Sequence, residues 1–280
     1  MNHIITEIIA IAQRAGKKVI HHYRKPETDV QKKDDNSPLT LADSDAHNII
    51  CKHLEDIFPD IPILSEEGSE IPHLERKTWN RFWLVDPLDG TKEFIKKTGE
   101  FTVNIALLDQ NEPVLGVIYA PVTGMCYFAE KKLGAYKCLL SNNGSNTNEM
   151  VADGLNKRHS IHSRPMNTED IAIVASRDHA GPMVRELAGQ FPDASFISMG
   201  SSLKFCLVAE GKADIYLRDV PTMEWDTAAA HAIVKAGGGE IYTLDGRPLT
   251  YNKPVLKNPA IITLGDQSWD WQRLVSKSSH

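Results

Sequence analysis

This sequence predicts a layered α/β architecture, and three observations carry that expectation. Amphipathic helical stretches alternate with short apolar runs of strand length. The hydrophobic fraction of 41% can supply a packed core. No repeat or low-complexity tract interrupts the 280 residues, a length that suits one large domain or two modest ones. A polar tract near residue 150 suggests a division into residues 1–150 and 151–280.

The elements follow in order. Ile4 to Tyr23 carries apolar residues at Ile4, Ile5, Ile8, Ile9, Ile11, Ala12, Ala15, Val19 and Ile20, the spacing of an amphipathic helix that Pro26 ends. Ala42 to Phe58 is a second helix, with Ile49, Ile50, Leu54 and Ile57 on one face and Pro59 and Pro62 beyond it. Ile61–Leu64 and Phe82–Val85 are short buried strands. Thr102–Leu108 and Val114–Tyr119 pair around the turn-rich segment Asp109 to Pro113, and Met125–Ala129 adds another strand. Ser141 to Ser160, rich in Asn, Ser and Gly, is expected as a loop at the subdomain boundary. Beyond it come a strand at Ile171–Ala175, helices at Pro182–Gln190 and Ser202–Glu210, a strand at Asp214–Leu217 and a helix at Thr227–Lys235. Gly237-Gly238-Gly239 stops that helix ahead of a further strand.

Charge and cysteine usage exclude several classes. A formal charge of −6 gives no general polyanion-binding surface and no nucleic-acid partner. An acidic protein that handles phosphate needs local positive charge, and metal ions are one source. Cys51, Cys126, Cys138 and Cys206 form no C-x-x-C pair and read as buried free thiols. Glu7 interrupts the N-terminus before any long apolar run, no stretch of 18 apolar residues exists, and the sequon Asn143-Gly144-Ser145 is a chance match, so a cytoplasmic location is expected.

The chemistry concentrates in acids. In Trp83-Leu84-Val85-Asp86-Pro87-Leu88-Asp89-Gly90-Thr91 an apolar strand delivers two aspartates into a tight turn, where their carboxylates can converge with the Leu88 carbonyl between them. Such hard oxygens suit Mg²⁺ better than zinc, although Asp, Pro and Gly also make ordinary β-turns. Glu66-Glu67 follows another apolar strand, as either one ligand with a supporting carboxylate beside it or solvated surface. Asp226, ahead of the helix Ala228 to Lys235, reads in isolation as its N-cap, from which a carboxylate can also face a metal. Asp43 is a first-turn acid favoured by the helix dipole, or a base for a water.

Together these segments resemble the inositol monophosphatase superfamily of lithium-sensitive Mg²⁺ phosphatases over nearly the whole chain. Asp86-Pro87-Leu88-Asp89-Gly90-Thr91 matches its first signature. Trp225-Asp226, followed by an Ala-rich helix and Gly237-Gly238, matches its second. A finer resemblance, to the bacterial 3′(2′),5′-bisphosphate nucleotidases of that superfamily, rests on Asp35 to Thr40, Trp83 to Ile95 with Lys92-Glu93-Phe94, Gly99 to Ala106, and Gly200 to Gly211.

The resemblance implies an α-β-α-β-α sandwich with most metal ligands in the first half. It implies release of the 3′-phosphate from adenosine 3′,5′-bisphosphate or its 5′-phosphosulfate, in sulfur metabolism. An inositol monophosphatase or broad sugar phosphatase is the alternative, ahead of a non-catalytic nucleotide-binding protein. Two or three Mg²⁺ ions are implied. Glu66, in preference to Glu67, is a ligand, Asp86 bridges two ions, the Leu88 carbonyl completes one site, and Asp89 and Asp226 hold the other. Thr91 orients the attacking water and Asp43 accepts its proton. Glu66, Leu88, Asp89, Gly90, Thr91 and Asp226 surround the reacting phosphate, while Ser176, His179, Gly200 and Lys204 contact the nucleotide. Lys204 also has a bland alternative as a solvated helix residue, and His179 as a loop histidine bonded to backbone. The resemblance is compatible with a monomer or homodimer, and with peripheral attachment to the cytoplasmic face of the inner membrane, although no amphipathic anchor stands out.

Overall fold

The computed structural model describes residues 3–26, 30–32, 38–141, 144, 146–175 and 182–272. Helix α1 (His3–Tyr23) buries Ile5, Ile8, Ile9, Ile11, Ala12, Ala15 and Val19 along one stripe. Strands β1 (Val30–Lys32) and β2 (Pro38–Thr40) form an antiparallel ribbon that leads into α2 (Leu41–Ile57). Thr40 caps α2, donating its amide to Asp43 Oδ2 at 2.8 Å and accepting the Ala42 amide on its hydroxyl.

A seven-stranded sheet follows. It starts with β3 (Ile63–Ser65), the short helix α3 (His73–Arg76), β4 (Arg81–Asp89) and the short helix α4 (Thr91–Ile95). It continues through β5 (Thr102–Asp109), β6 (Glu112–Ala120), β7 (Met125–Glu130) and β8 (Gly134–Leu139). Helix α5 (Thr147–Asn156) precedes the last strand, β9 (His159–Ser160). Strand order follows the chain, and only β3 and β4 run parallel. The β5–β6 hairpin closes on Gln110 and Asn111 at φ 50° and 63°, the left-handed pair of a two-residue type I′ turn.

The segment 141–160 departs from the expected loop. Asn146 accepts the amides of Asn148 and Glu149, starting α5, and Met150, Val151 and Leu155 bury one face of it. Its polar composition belongs to the solvent side, and the capping Asn with that apolar spacing makes the helix.

The second half builds a five-stranded sheet from β10 (Ala172–Ala175), helix α6 (Pro182–Gln190), β11 (Ser195–Ser198), helix α7 (Leu203–Ala209), β12 (Ile215–Arg218), helix α8 (Glu224–Ala236), β13 (Glu240–Thr243) and β14 (Ile261–Leu264). Its order is β11-β10-β12-β14-β13, with β10, β11 and β12 parallel and β14 antiparallel to both neighbours.

Strand periodicity explains the layering. Trp83, Val85, Ile105 and Leu107 pack with α1 and α2 on one face of the large sheet. The alternate residues Phe82, Leu84, Ala106 and Leu108 pack with α7, α8 and the near face of the small sheet. The far face of the small sheet, through Ile173, Ile215, Leu217 and Ile262, packs with Val184 of α6 and Trp271. The five layers form an α-β-α-β-α sandwich, with α7 and α8 in its middle. The cysteines are free, with Cys126, Cys138 and Cys206 buried and Cys51 partly so. No described helix is long and apolar enough to cross a membrane.

Candidate metal centre

The first acids reach the site on neighbouring parallel strands. Glu66 extends β3 by one residue, donating its amide to the Val85 carbonyl at 3.1 Å, so it sits beside Asp86. The expected tight turn after Val85 is instead a continuation of β4 to Asp89, with a break in register between Asp86 and Asp89. That break decides the geometry. In a regular strand, residues three apart face opposite sides of the sheet. Here the bulge sends Leu88 into the core against α1 and α2, while Asp89 reaches the α7 side; residues 86 and 89 thus share a face. The chain reverses one residue later, at Gly90, whose φ of +93° suits glycine at the head of α4.

Asp226 comes from the middle layer. The sequence placed it as an N-cap; it is the third residue of α8, its Oδ2 accepting the Met223 amide at 2.8 Å. The helix starts earlier because the Glu224 amide is taken by the Leu256 carbonyl at 2.9 Å. One carboxylate oxygen each from Glu66, Asp86 and Asp226 lie within 4.8 Å of one another. Burial, then repulsion from Glu66, Asp89 and Asp226, holds the Asp86 carboxyl well above the ordinary range. Burial, then Asp89 and Glu66, does the same to Asp226.

Asp89 adjoins this trio. Its Oδ2 accepts the Ser201 hydroxyl at 2.6 Å, the Ser202 amide at 2.6 Å and the Ser202 hydroxyl at 2.7 Å. On the other side Thr91 Oγ1 donates to Asp43 Oδ1 at 3.2 Å and lies 3.3 Å from the Leu88 carbonyl. Asp43 is therefore both the acid that completes the capping box of α2 and a neighbour of the centre.

A cleft of about 330 Å³ opens here, lined by Glu66, Asp89, Gly90, Thr91, Ser201, Ser202, Lys204, Arg218 and Asp226 among others. Lys204 is 6% exposed, which removes its reading as a solvated helix residue. Burial pushes its ammonium down to about 8, opposed by Asp89, Glu93 and Glu100. Gly200 is buried, and a Cβ there would lie 2.7 Å from the Glu100 carbonyl oxygen, so glycine lets α7 approach the large sheet. Ser176 and His179 lie outside the described residues, as do Asp35 to Ser37.

Three contributors escaped the sequence reading. Ser201 and Ser202 carried only the resemblance of the segment Gly200 to Gly211, with no role toward the acids, and both hydroxyls serve Asp89. Arg218 ends the buried strand β12 and lines the cleft, and its Nε is buried with no hydrogen-bond partner among the described residues. A cation closing an apolar strand eight residues before Asp226 was its only signal.

The donor set is all oxygen, buried at Asp86 and half-buried at Glu66 and Asp226, and mutually repelling, which fits a hard divalent cation such as Mg²⁺. The model for the inositol monophosphatase family matches residues 1–275. The 3′(2′),5′-bisphosphate nucleotidase CysQ of Escherichia coli K12 is 44% identical over 255 residues, 89% of this chain and 94% of that protein. CysQ of Haemophilus influenzae is 37% identical over 274 residues, 97% of this chain and 96% of its own. The crystal structure of CysQ from Bacteroides thetaiotaomicron superposes with a TM-score of 0.81 at 43% identity, covering 96% of this chain and 99% of that one.

Proposed function

The chain belongs to the inositol monophosphatase family, and we propose that it is a metal-dependent 3′(2′),5′-bisphosphate nucleotidase acting on adenosine 3′,5′-bisphosphate. The observation that supports this most is one cleft in which Glu66 and Asp226, with Asp86 buried beside them, share the lining with two cations, Lys204 and Arg218. The acids suit a cation-assisted phosphoryl transfer, and the cations suit a second phosphate on the same substrate. Identity of 37–44% to proteins named for that activity supports it too.

Glu66, Asp86, Asp226, Asp89 and the Leu88 carbonyl would hold two or three Mg²⁺ ions. When bound, Mg²⁺ neutralises phosphate charge and makes a water a stronger nucleophile. Thr91, whose hydroxyl proton points to Asp43, can accept a hydrogen bond from the attacking water and so orient it. Asp43 receives the proton through Thr91. Water adds to phosphorus and the P–O3′ bond breaks; the leaving 3′-oxygen takes a proton from a solvent water and Asp43 returns its proton to solvent, giving AMP and phosphate. Lys204, with Arg218, Gly200 and the segment of Ser176 and His179, holds the rest of the nucleotide. The subdomain carrying β3–β9 supplies most ligands and the subdomain carrying β10–β14 most nucleotide contacts. Lithium inhibition, a cytoplasmic setting with peripheral membrane attachment, and a monomeric or homodimeric state belong to the same reading.

Phosphate release measured side by side from adenosine 3′,5′-bisphosphate and inositol monophosphate tests it. A higher kcat/KM is expected for the bisphosphate, and a preference for inositol monophosphate overturns it.

A further inference from the structure

Three carboxylates held within 4.8 Å repel one another, so something other than a cation must keep them together before the cation arrives. Glu66 and Asp86 are fixed by adjacent strands. Asp226 stands on the free end of a helix, and that end is gripped by the segment 252–258. The grip centres on Glu224, which is 0% exposed and lies two residues before Asp226. Its Oε2 accepts the Asn252 amide at 2.7 Å. Its Oε1 accepts the Lys253 amide at 2.9 Å and Lys253 Nζ at 2.7 Å.

The same segment reaches back to the Glu66 side. Asn252, held at φ 60°, accepts Arg76 Nη1 at 2.9 Å and donates its side-chain amide to the Arg76 carbonyl, also at 2.9 Å. Arg76 is 2% exposed and its Nε donates to the Ile71 carbonyl at 2.9 Å, within the loop that starts at Glu66. Asn258 Nδ2 completes the clamp on the Met223 carbonyl at 2.9 Å. A continuous chain of hydrogen bonds therefore runs from the loop after Glu66, through Arg76 and Asn252, to Glu224 and the first turn of α8.

We propose that Glu224 is a positioning residue of the metal centre: by gripping residues 252 and 253 it holds Asp226 at ligand distance from Glu66 and Asp86 in the absence of a cation. The proposal rests on the metal-centre reading above. It makes Glu224 act through Asp226 without touching substrate, as partners outside a ligand set commonly do.

Titrating the full chain with Mn²⁺ alone, followed by electron paramagnetic resonance well below the unfolding temperature, tests it. Glu224→Gln is expected to weaken Mn²⁺ binding about tenfold, with kcat recovered at saturating cation and the KM for nucleotide unchanged. Loss of thermal stability with unchanged Mn²⁺ affinity overturns the positioning role. Should Glu224→Gln fail to fold, Lys253→Met removes the Nζ bonds to Glu224, Thr250 and Asn258 and leaves the amides of residues 252 and 253 on Glu224; weaker Mn²⁺ binding is expected, and unchanged affinity overturns the proposal equally. Asp86→Asn separates the two readings. If Asp86→Asn abolishes tight Mn²⁺ binding while Glu224→Gln does not weaken it, only the positioning role falls. If the unsubstituted protein binds no Mn²⁺, the metal centre falls and this proposal with it.

Discussion

Thr91 Oγ1 lies 3.2 Å from Asp43 Oδ1, joining the head of α4 to the first turn of α2 across the mouth of the cleft. The other oxygen of Asp43 is taken by Thr40, whose amide and hydroxyl donate to Oδ2 at 2.8 Å and 2.6 Å. One carboxylate is thus locked by the helix cap and aimed by it at the Thr91 hydroxyl. Thr91→Ala is expected to lower kcat by about 10²-fold or more, leaving Mn²⁺ affinity unchanged, and Thr91→Ser to restore most of the rate. Steady-state kinetics at saturating cation, with a parallel metal titration, reads both.

Asp86 is central to the acidic trio, and Asp86→Asn should abolish turnover. The same substitution should stabilise the metal-free protein at neutral pH. The sign follows from linkage. A carboxyl whose folded-state pKa is raised above 3.8 costs nothing while protonated, and its penalty accumulates as pH climbs from the ordinary carboxylate range through the raised value. Thermal melts in a chelator are expected to show Asp86→Asn above the unsubstituted protein at pH 8 and level with it near pH 4. A mutant with near-normal rate at saturating Mg²⁺ would refute the ligand assignment.

Because protons and cations compete for the same raised carboxyls of Asp86 and Asp226, Mg²⁺ affinity should fall as pH falls below neutrality. Calorimetric titration between pH 8 and pH 5.5 measures it, and a flat profile would contradict the crowded, buried cluster.

Lys204 is expected to discriminate by the second phosphate. Lys204→Ala should raise the KM for adenosine 3′,5′-bisphosphate about tenfold or more, the value of a lost charge-assisted hydrogen bond, with little change for a monophosphate. In the unsubstituted enzyme, KM for the bisphosphate should rise above about pH 8, where the free-enzyme ammonium deprotonates. That rise should be missing in Lys204→Ala. Equal effects on both substrates would show that Lys204 confers no selectivity.

Much of this molecule was legible in one dimension, where the physics is local. The apolar stripe of Ile4 to Tyr23, the hairpin around Gln110 and Asn111, and the helix after Trp225-Asp226 all follow from spacing, turn chemistry and capping between near neighbours. The resemblance carried by Asp86 to Thr91 added the layered sandwich and the family.

What local patterns could not supply came from contacts across the chain. Strand alternation alone would set Asp86 and Asp89 on opposite faces, and the bulge that unites them is stabilised by α1 and α2 packing on Leu88 and by Ser201 and Ser202 gripping Asp89. Lys204 keeps its alternative as a solvated helix residue until the small sheet covers it, and Asp226 reads in isolation as a helix cap until Leu256 draws the helix start upstream to Glu224. Residue types choose which groups can carry charge; the closing of two sheets on one pair of helices chooses which of those charges lose their water and meet.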